Sequence, residues 1–165
     1  MLGNDLALPY VKERYTDELQ RLKDIEDKAI KLTSLLSILI AALGTGLGIN
    51  KDPLINPESL IDWIIIALAV YLMIFLFCSW ANAMRAIKIG RFPVVPHNRE
   101  ALEWIQDADT QDCEVYIVNC YVDVIELLSK EIERKVDALQ YCYKDLTFSA
   151  WLASALVISF YISEL

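Results

Sequence analysis

The chain has 165 residues, a length that points to one domain. Its residues are 56% apolar and 23% charged, with a mean hydropathy of +0.36, a mixture that arises when apolar spans alternate with charged aqueous segments. The net charge of −8, with acids mixed among the bases and no basic patch with interleaved aromatics, argues against a nucleic-acid binder.

Residues 1–9 read as a loose lead-in closed by Pro9. From Tyr10 onward apolar residues recur every three or four positions, at Val11, Tyr15, Leu19, Leu22, Ile25, Ala29 and Leu32, the pattern of an amphipathic helix. Neither Gly nor Pro interrupts before Gly44. One helix is expected to cover a cytoplasmic segment, residues 1–31, and to run on into a first membrane span over 32–50, ending near Gly48. The loop over 51–62 holds Pro53 and Pro57, and Ser59 or Asn56 is suited to cap the next helix.

The second span, 63–84, contains ten Leu, Ile, Val or Phe residues, worth about −3 to −6 kcal/mol together on an insertion scale. A cytoplasmic helical segment follows over 85–145. Gly90, Pro93 and Pro96 make "RFPVVPHNRE" a turn, "REALEWIQDAD" reads as a short helix, and a long helix is expected over about 112–163. Its core positions are Tyr116, Cys120, Val124, Leu127 or Leu128, Ile132, Val136, Leu139, Tyr143 and Leu146, and its end forms the third span, 146–163. The stretches from Leu32 to Asn50, Trp63 to Met84 and Leu146 to Ser163 carry no charge; each reaches about 27 to 33 Å as helix, the thickness of a bilayer core. For the first and third, diluted by Ser, Thr and Gly, a buried helix of a soluble bundle is the alternative.

The expected fold is an all-α membrane protein: three transmembrane helices, with a cytoplasmic helical stalk formed by the N-terminal helix and the long helix running into the third span. With the N-terminus cytoplasmic, 14 Lys and Arg residues lie inside and only Lys51 outside, as the positive-inside rule requires, and the C-terminus emerges externally. About thirty charge-rich residues precede the first apolar run, so no signal peptide is expected.

Little in the chain suggests chemistry. There is no phosphate-cradling loop, nucleophile elbow or metalloprotease helix, so no enzyme and no cofactor are expected. Cys78, Cys113, Cys120 and Cys142 form no CxxC, and the lone His97 completes no zinc set, so no metal site is expected either. The spans hold no ionisable residue at depth apart from thiols and phenols, which speaks against a charged ion pathway.

More informative are the small residues. Ser34, Ser37, Ala41, Gly44 and Gly48 share one helical face, and Ser149 and Ala153 begin a second. In lipid such faces let backbones approach closely. They pack either against the chain's own other spans or between subunits of a homo-oligomer. In an assembly the hydroxyls of Ser34, Ser37 and Thr45 are candidates to line a narrow path.

The layout resembles a known family. An acidic-x-Lys motif, Glu26-Asp27-Lys28, stands just before the first span; a membrane hairpin follows; and a basic stretch, Glu133-Arg134-Lys135, precedes the last span by about ten residues. Over residues 15–163 this is similar to the transmembrane effectors of Pycsar antiphage systems and to related proteins beside retrons. It departs in carrying Ala29 where a polar residue is expected, and in lacking an appended nucleotide-sensing domain. The resemblance implies an oligomeric effector of the bacterial inner membrane, held inactive until infection and then disrupting membrane integrity or potential. It further implies a cytosolic sensor or regulatory partner, with Glu26, Lys28, Arg134 and Lys135 as stalk contacts. The alternative is a non-toxic structural subunit that oligomerises in the bilayer and docks a cytosolic partner through its stalk.

Overall fold

A computed structural model describes residues 4–49, 57, 59–88 and 110–163. The described residues are helical almost throughout, in three helices: α1 (Asn4–Ile49), α2 (Leu60–Ile87) and α3 (Thr110–Ser163). Each is long and apolar enough to cross a membrane. The short helix expected over "REALEWIQDAD" and the Gly90–Pro96 turn lie outside the described residues.

Sequence chemistry accounts for the helix ends. Ser59 caps α2: its side chain accepts from the Asp62 amide at 3.2 Å while Asp62 accepts from the Ser59 amide at 2.9 Å, a reciprocal capping box. The cap brings Asp62, expected in the loop, into the first turn, and the helix begins three residues before the expected span. The lead-in expected over residues 1–9 is corrected from Asn4 onward, for α1 already includes Pro9. Proline there forfeits the bond to the residue four before it, in a turn close enough to the helix end for water to serve that carbonyl.

Two compact units share these helices. One takes α1 up to Glu26 and α3 up to Lys135; the other takes α1 from Asp27, α2 with Lys88, and α3 from Val136. In the first unit, Val11, Glu18, Leu22 and Ile25 of α1 are buried, as are Cys113, Val124, Leu128, Ile132 and Lys135 of α3. Tyr15 meets Tyr121 edge-on at 5.5 Å, a favoured aromatic geometry. Farther along both helices Glu26 meets Lys135, so α1 and α3 run parallel here.

In the second unit the seam of α2 is Ile65, Ala69, Leu72, Leu76, Ser79, Ala83 and Ala86, alternating steps of four and three as in a coiled-coil seam. Ala29, Leu32 and Leu36 of α1 and Leu139, Cys142, Ser149 and Leu156 of α3 complete this core. The remaining apolar surface is turned outward. Only 11% of the most apolar window of α1, 22% of that of α2 and 11% of that of α3 is buried; Ile38, Phe77, Trp151 and Val157 are all exposed. A helix of a soluble bundle would hide such a surface. These outward apolar faces require hydrocarbon around them, and the protein is a membrane protein.

Several expected core positions are corrected. Leu19 is exposed and Glu18 takes its place; Tyr116 and Tyr143 are exposed; of the alternatives Leu127 and Leu128 it is Leu128 that is buried; and Lys135, Cys142 and Ser149 join the buried line. Repeated steps of four drift around a helix of 3.6 residues per turn, whereas mixed steps of three and four keep a straight seam. The solvent also decides what burial is worth. Ile132→Ala, in the first unit, is expected to cost about 2–5 kcal/mol, from lost transfer energy plus a cavity. Ile65→Ala, equally enclosed but in a span, should cost less because lipid is as apolar as the core. Thermal unfolding of the two variants in detergent ranks them.

Candidate functional site

The small-residue face of α1 is open. Ser34, Ser37, Ala41, Gly44 and Gly48 are all exposed. A Cβ added at Gly44, Gly46 or Gly48 would meet nothing within 4 Å. The buried line of α1 runs through Leu32 and Leu36, and the small residues lie from about 100° to about 180° round the helix from it. The hydroxyls of Ser34, Ser37 and Thr45 donate to the carbonyls of Ile30, Thr33 and Ala41, four residues back, at 3.0, 2.9 and 2.9 Å. This satisfies their protons without reaching another helix. Ser37 has a second bond: Trp80 Nε1 donates to its hydroxyl oxygen at 3.2 Å. The second small-residue face is disposed differently. Ser149 is buried, donating to the Asp145 carbonyl at 2.8 Å, and Ala153 is half-buried. That pair packs within the chain.

A polar seam joins α2 to α3. The Ser79 hydroxyl donates to the Cys142 carbonyl at 2.9 Å and lies 3.1 Å from its Sγ. Asn82 Nδ2 donates to Asp145 Oδ2 at 2.9 Å. One turn or more away Phe75 stacks on Phe148, with centroids 5.9 Å apart. The Phe pair and the Ser79–Cys142 pair show that the two helices are antiparallel. By the Phe75–Phe148 pair Ser79 stands near the level of Lys144 and Asn82 near that of Tyr141, so the two bonds lean in opposite directions and cross. Nothing in the sequence marks this pair of bonds, because its partners are 63 residues apart. Ser79→Ala is expected to cost only about 0.6 kcal/mol, the average for a hydrogen bond between membrane helices, and Asn82→Ala a similar amount. A double-mutant cycle on unfolding in detergent would measure whether the two act together.

The four residues named as stalk contacts part company: Glu26, Arg134 and Lys135 belong to the first unit, Lys28 to the second. Lys135 Nζ donates to Glu26 Oε1 at 2.6 Å, with 2% of the lysine side chain and 28% of the glutamate accessible. Lys28 is exposed, and Arg134 bonds to Glu131 at 3.3 Å on the surface. Nearby Glu126 and Lys130 pair at 2.9 Å; the hydrogen bond holds the carboxyl below its ordinary pKa and the ammonium above its own. The buried Glu18 has its Oε2 3.7 Å from Arg21, within ion-pair range but beyond hydrogen-bonding distance.

Two apolar cavities lie in the second unit. One, of about 450 Å³, is lined by Leu47, Ile66, Val70, Met73 and Phe77 among others. The other, of about 360 Å³, lies among all three helices beside Leu39, Leu43, Leu76 and Ala150. Neither gathers convergent polar groups of the kind that orient a small-molecule substrate. Among the described residues no three His, Cys, Asp or Glu side chains are grouped to hold a metal ion. The capacities that the geometry displays are helix packing and membrane insertion. The chain matches no protein-family model, no curated protein and no solved structure.

Proposed function

We propose that the chain is an oligomeric effector of the bacterial inner membrane that disrupts membrane integrity or potential during antiphage defence. The observation that carries this reading is the open face at Gly44 and Gly48. Within lipid, a small-residue face gains little by facing acyl chains and much by meeting another backbone, and the chain's own helices leave it uncovered. Copies associating through this face would bring Ser34 and Thr45 of several protomers together. In the proposed orientation the N-terminus is cytoplasmic and the C-terminus external, so the first unit meets a cytosolic sensor or regulatory protein. The resemblance in layout supplies the defensive context.

The test is membrane potential, followed with a voltage-sensitive dye in bacteria induced to express the chain with and without phage infection. Depolarisation that accompanies expression or infection, and that Gly44→Leu abolishes, is the expected result. Normal potential and growth under both conditions would overturn the effector reading in favour of a constitutive structural subunit. The same small-residue face and the polar surface of the first unit serve that second role, and capture of a stable cytosolic partner by the uninfected, growing cells would support it.

A further inference from the structure

Five exposed cations gather at one end of the second unit: Lys28 and Lys31 on α1, Arg85 and Lys88 on α2, and Lys144 on α3. Their heights follow from contacts already described. The Trp80–Ser37 bond aligns α1 with α2, and the Phe75–Phe148 stack aligns α2 with α3. At 1.5 Å per residue, Lys31 and Arg85 come within about 2 Å of one height, and Lys28 and Lys88 lie together about one turn beyond. Lys144 stands about two turns from Lys88, level with Trp80, and a lysine stem is long enough to bring its ammonium toward the others.

The charge of this band is inverted relative to the chain. The protein as a whole has 15 Lys and Arg against 23 Asp and Glu. Between the levels of Lys144 and Lys28 the described residues of the second unit expose four cations besides Lys88, which has a further interaction of its own, and one carboxylate, Asp137; Asp145 at the edge is engaged by Asn82, and Asp27 lies just beyond. Tyr141 and Tyr143 are exposed in the same band, and Lys144 lies 5.4 Å from the Tyr141 ring centre. Twenty residues farther along α3, about 30 Å, Tyr161 is exposed at the level of an exposed Trp63. Aromatics at that separation mark the two faces of a bilayer core. At the Trp63 end the described residues include no Lys or Arg. Among the described residues the cations form a collar at one membrane face.

We propose that this collar binds anionic phospholipid headgroups, holding a ring of them against all three helices. Phosphodiester oxygens accept charge-assisted hydrogen bonds from ammonium and guanidinium groups. An anionic headgroup brings no cation of its own to cancel that attraction, whereas a choline headgroup does. The inference rests on insertion of the three spans in a bilayer and is independent of triggered membrane disruption.

The full chain, reconstituted in phosphatidylcholine vesicles containing some phosphatidylglycerol, tests it. Spin-labelled lipids of each class report which headgroup is retained at the protein surface. Phosphatidylglycerol is expected to be enriched at low salt and much less so at high salt. The triple variant Lys31→Gln/Arg85→Gln/Lys144→Gln should reduce the enrichment, by up to roughly fivefold for each cation removed. A control that removes the same charge from the first unit, Lys12→Gln/Arg14→Gln/Lys23→Gln, should leave it unchanged. Equal retention of the two lipids by the unaltered protein would overturn the proposal. So would an undiminished enrichment in the collar variant, or an equal loss in the control. Flotation with the vesicles reads insertion separately: an unaltered chain that does not float overturns the membrane placement together with the collar. If the triple variant alone fails to float, the single variants Arg85→Gln and Lys144→Gln decide, each expected to reduce enrichment.

Discussion

Glu26→Ala is expected to lower stability by about 3 kcal/mol, the lower end of what breaking a buried ion pair costs. The variant takes the Glu26 carboxylate away from Lys135, of whose side chain only 2% is accessible. The estimate sits at the lower end because about a quarter of Glu26 reaches water, which weakens the lost attraction. For a chain of this size the apparent Tm should fall by roughly 6–12 °C. Lys135→Met should be milder, for it leaves behind the partner that water can reach. The double variant Glu26→Leu/Lys135→Met should recover most of the loss, since an apolar pair avoids the desolvation of two charges. Circular dichroism during heating in detergent gives the order. If Lys135→Met proved the more damaging single change, the assignment of the lysine as the buried member would be wrong.

The second large effect concerns Gly44 and Gly48. Gly44→Leu/Gly48→Leu should leave the protomer folded and inserted, because both positions are exposed and a Cβ at either meets nothing within 4 Å, and leucine is the better helix former by about 0.8 kcal/mol per site. Assembly should be lost, because two bulky side chains hold a facing backbone away. Cross-linking in membranes measures oligomer size, and dye fluorescence measures depolarisation. The expected pattern is monomer, normal insertion and no depolarisation. Unchanged oligomers would place the subunit contact on another face; reduced insertion would show that these glycines serve the protomer.

Much of the fold was legible in the sequence. Uncharged runs of bilayer length announce three spans, and Ser59, with Asn56 as the alternative, is suited to cap α2, because these signals are local; Asp62, which the sequence places in the loop, completes the capping box only in the structure. What escaped was side-chain partnership across distance. The resemblance names Glu26 and Lys135 among four stalk contacts but does not show that these two meet each other. Ser149 reads as part of a small-residue face with no neighbour specified; it and Cys142 sit in the core of the second unit, where small side chains let α2 and α3 approach. Glu18 displaced Leu19 because the seam follows alternating steps of three and four, and a run of fours in the sequence pointed one position away. For the candidate site, spacing alone revealed that two small-residue faces exist. It could not show that Ser149 and Ala153 are used at home while Gly44 and Gly48 remain open, since that depends on which flank of each helix meets its neighbours.

The crossed bonds between α2 and α3 restrict how this part of the molecule can move. Ser79 reaches along the membrane normal in one direction to Cys142, and Asn82 reaches in the other direction to Asp145. They act as a pair of diagonal braces. Sliding α2 past α3 slackens one diagonal only by stretching the other, whichever way the slide goes. Piston motion is therefore the displacement this pair resists most. Tilting the two helices as one body, or moving α1 against both, leaves the braces at full length.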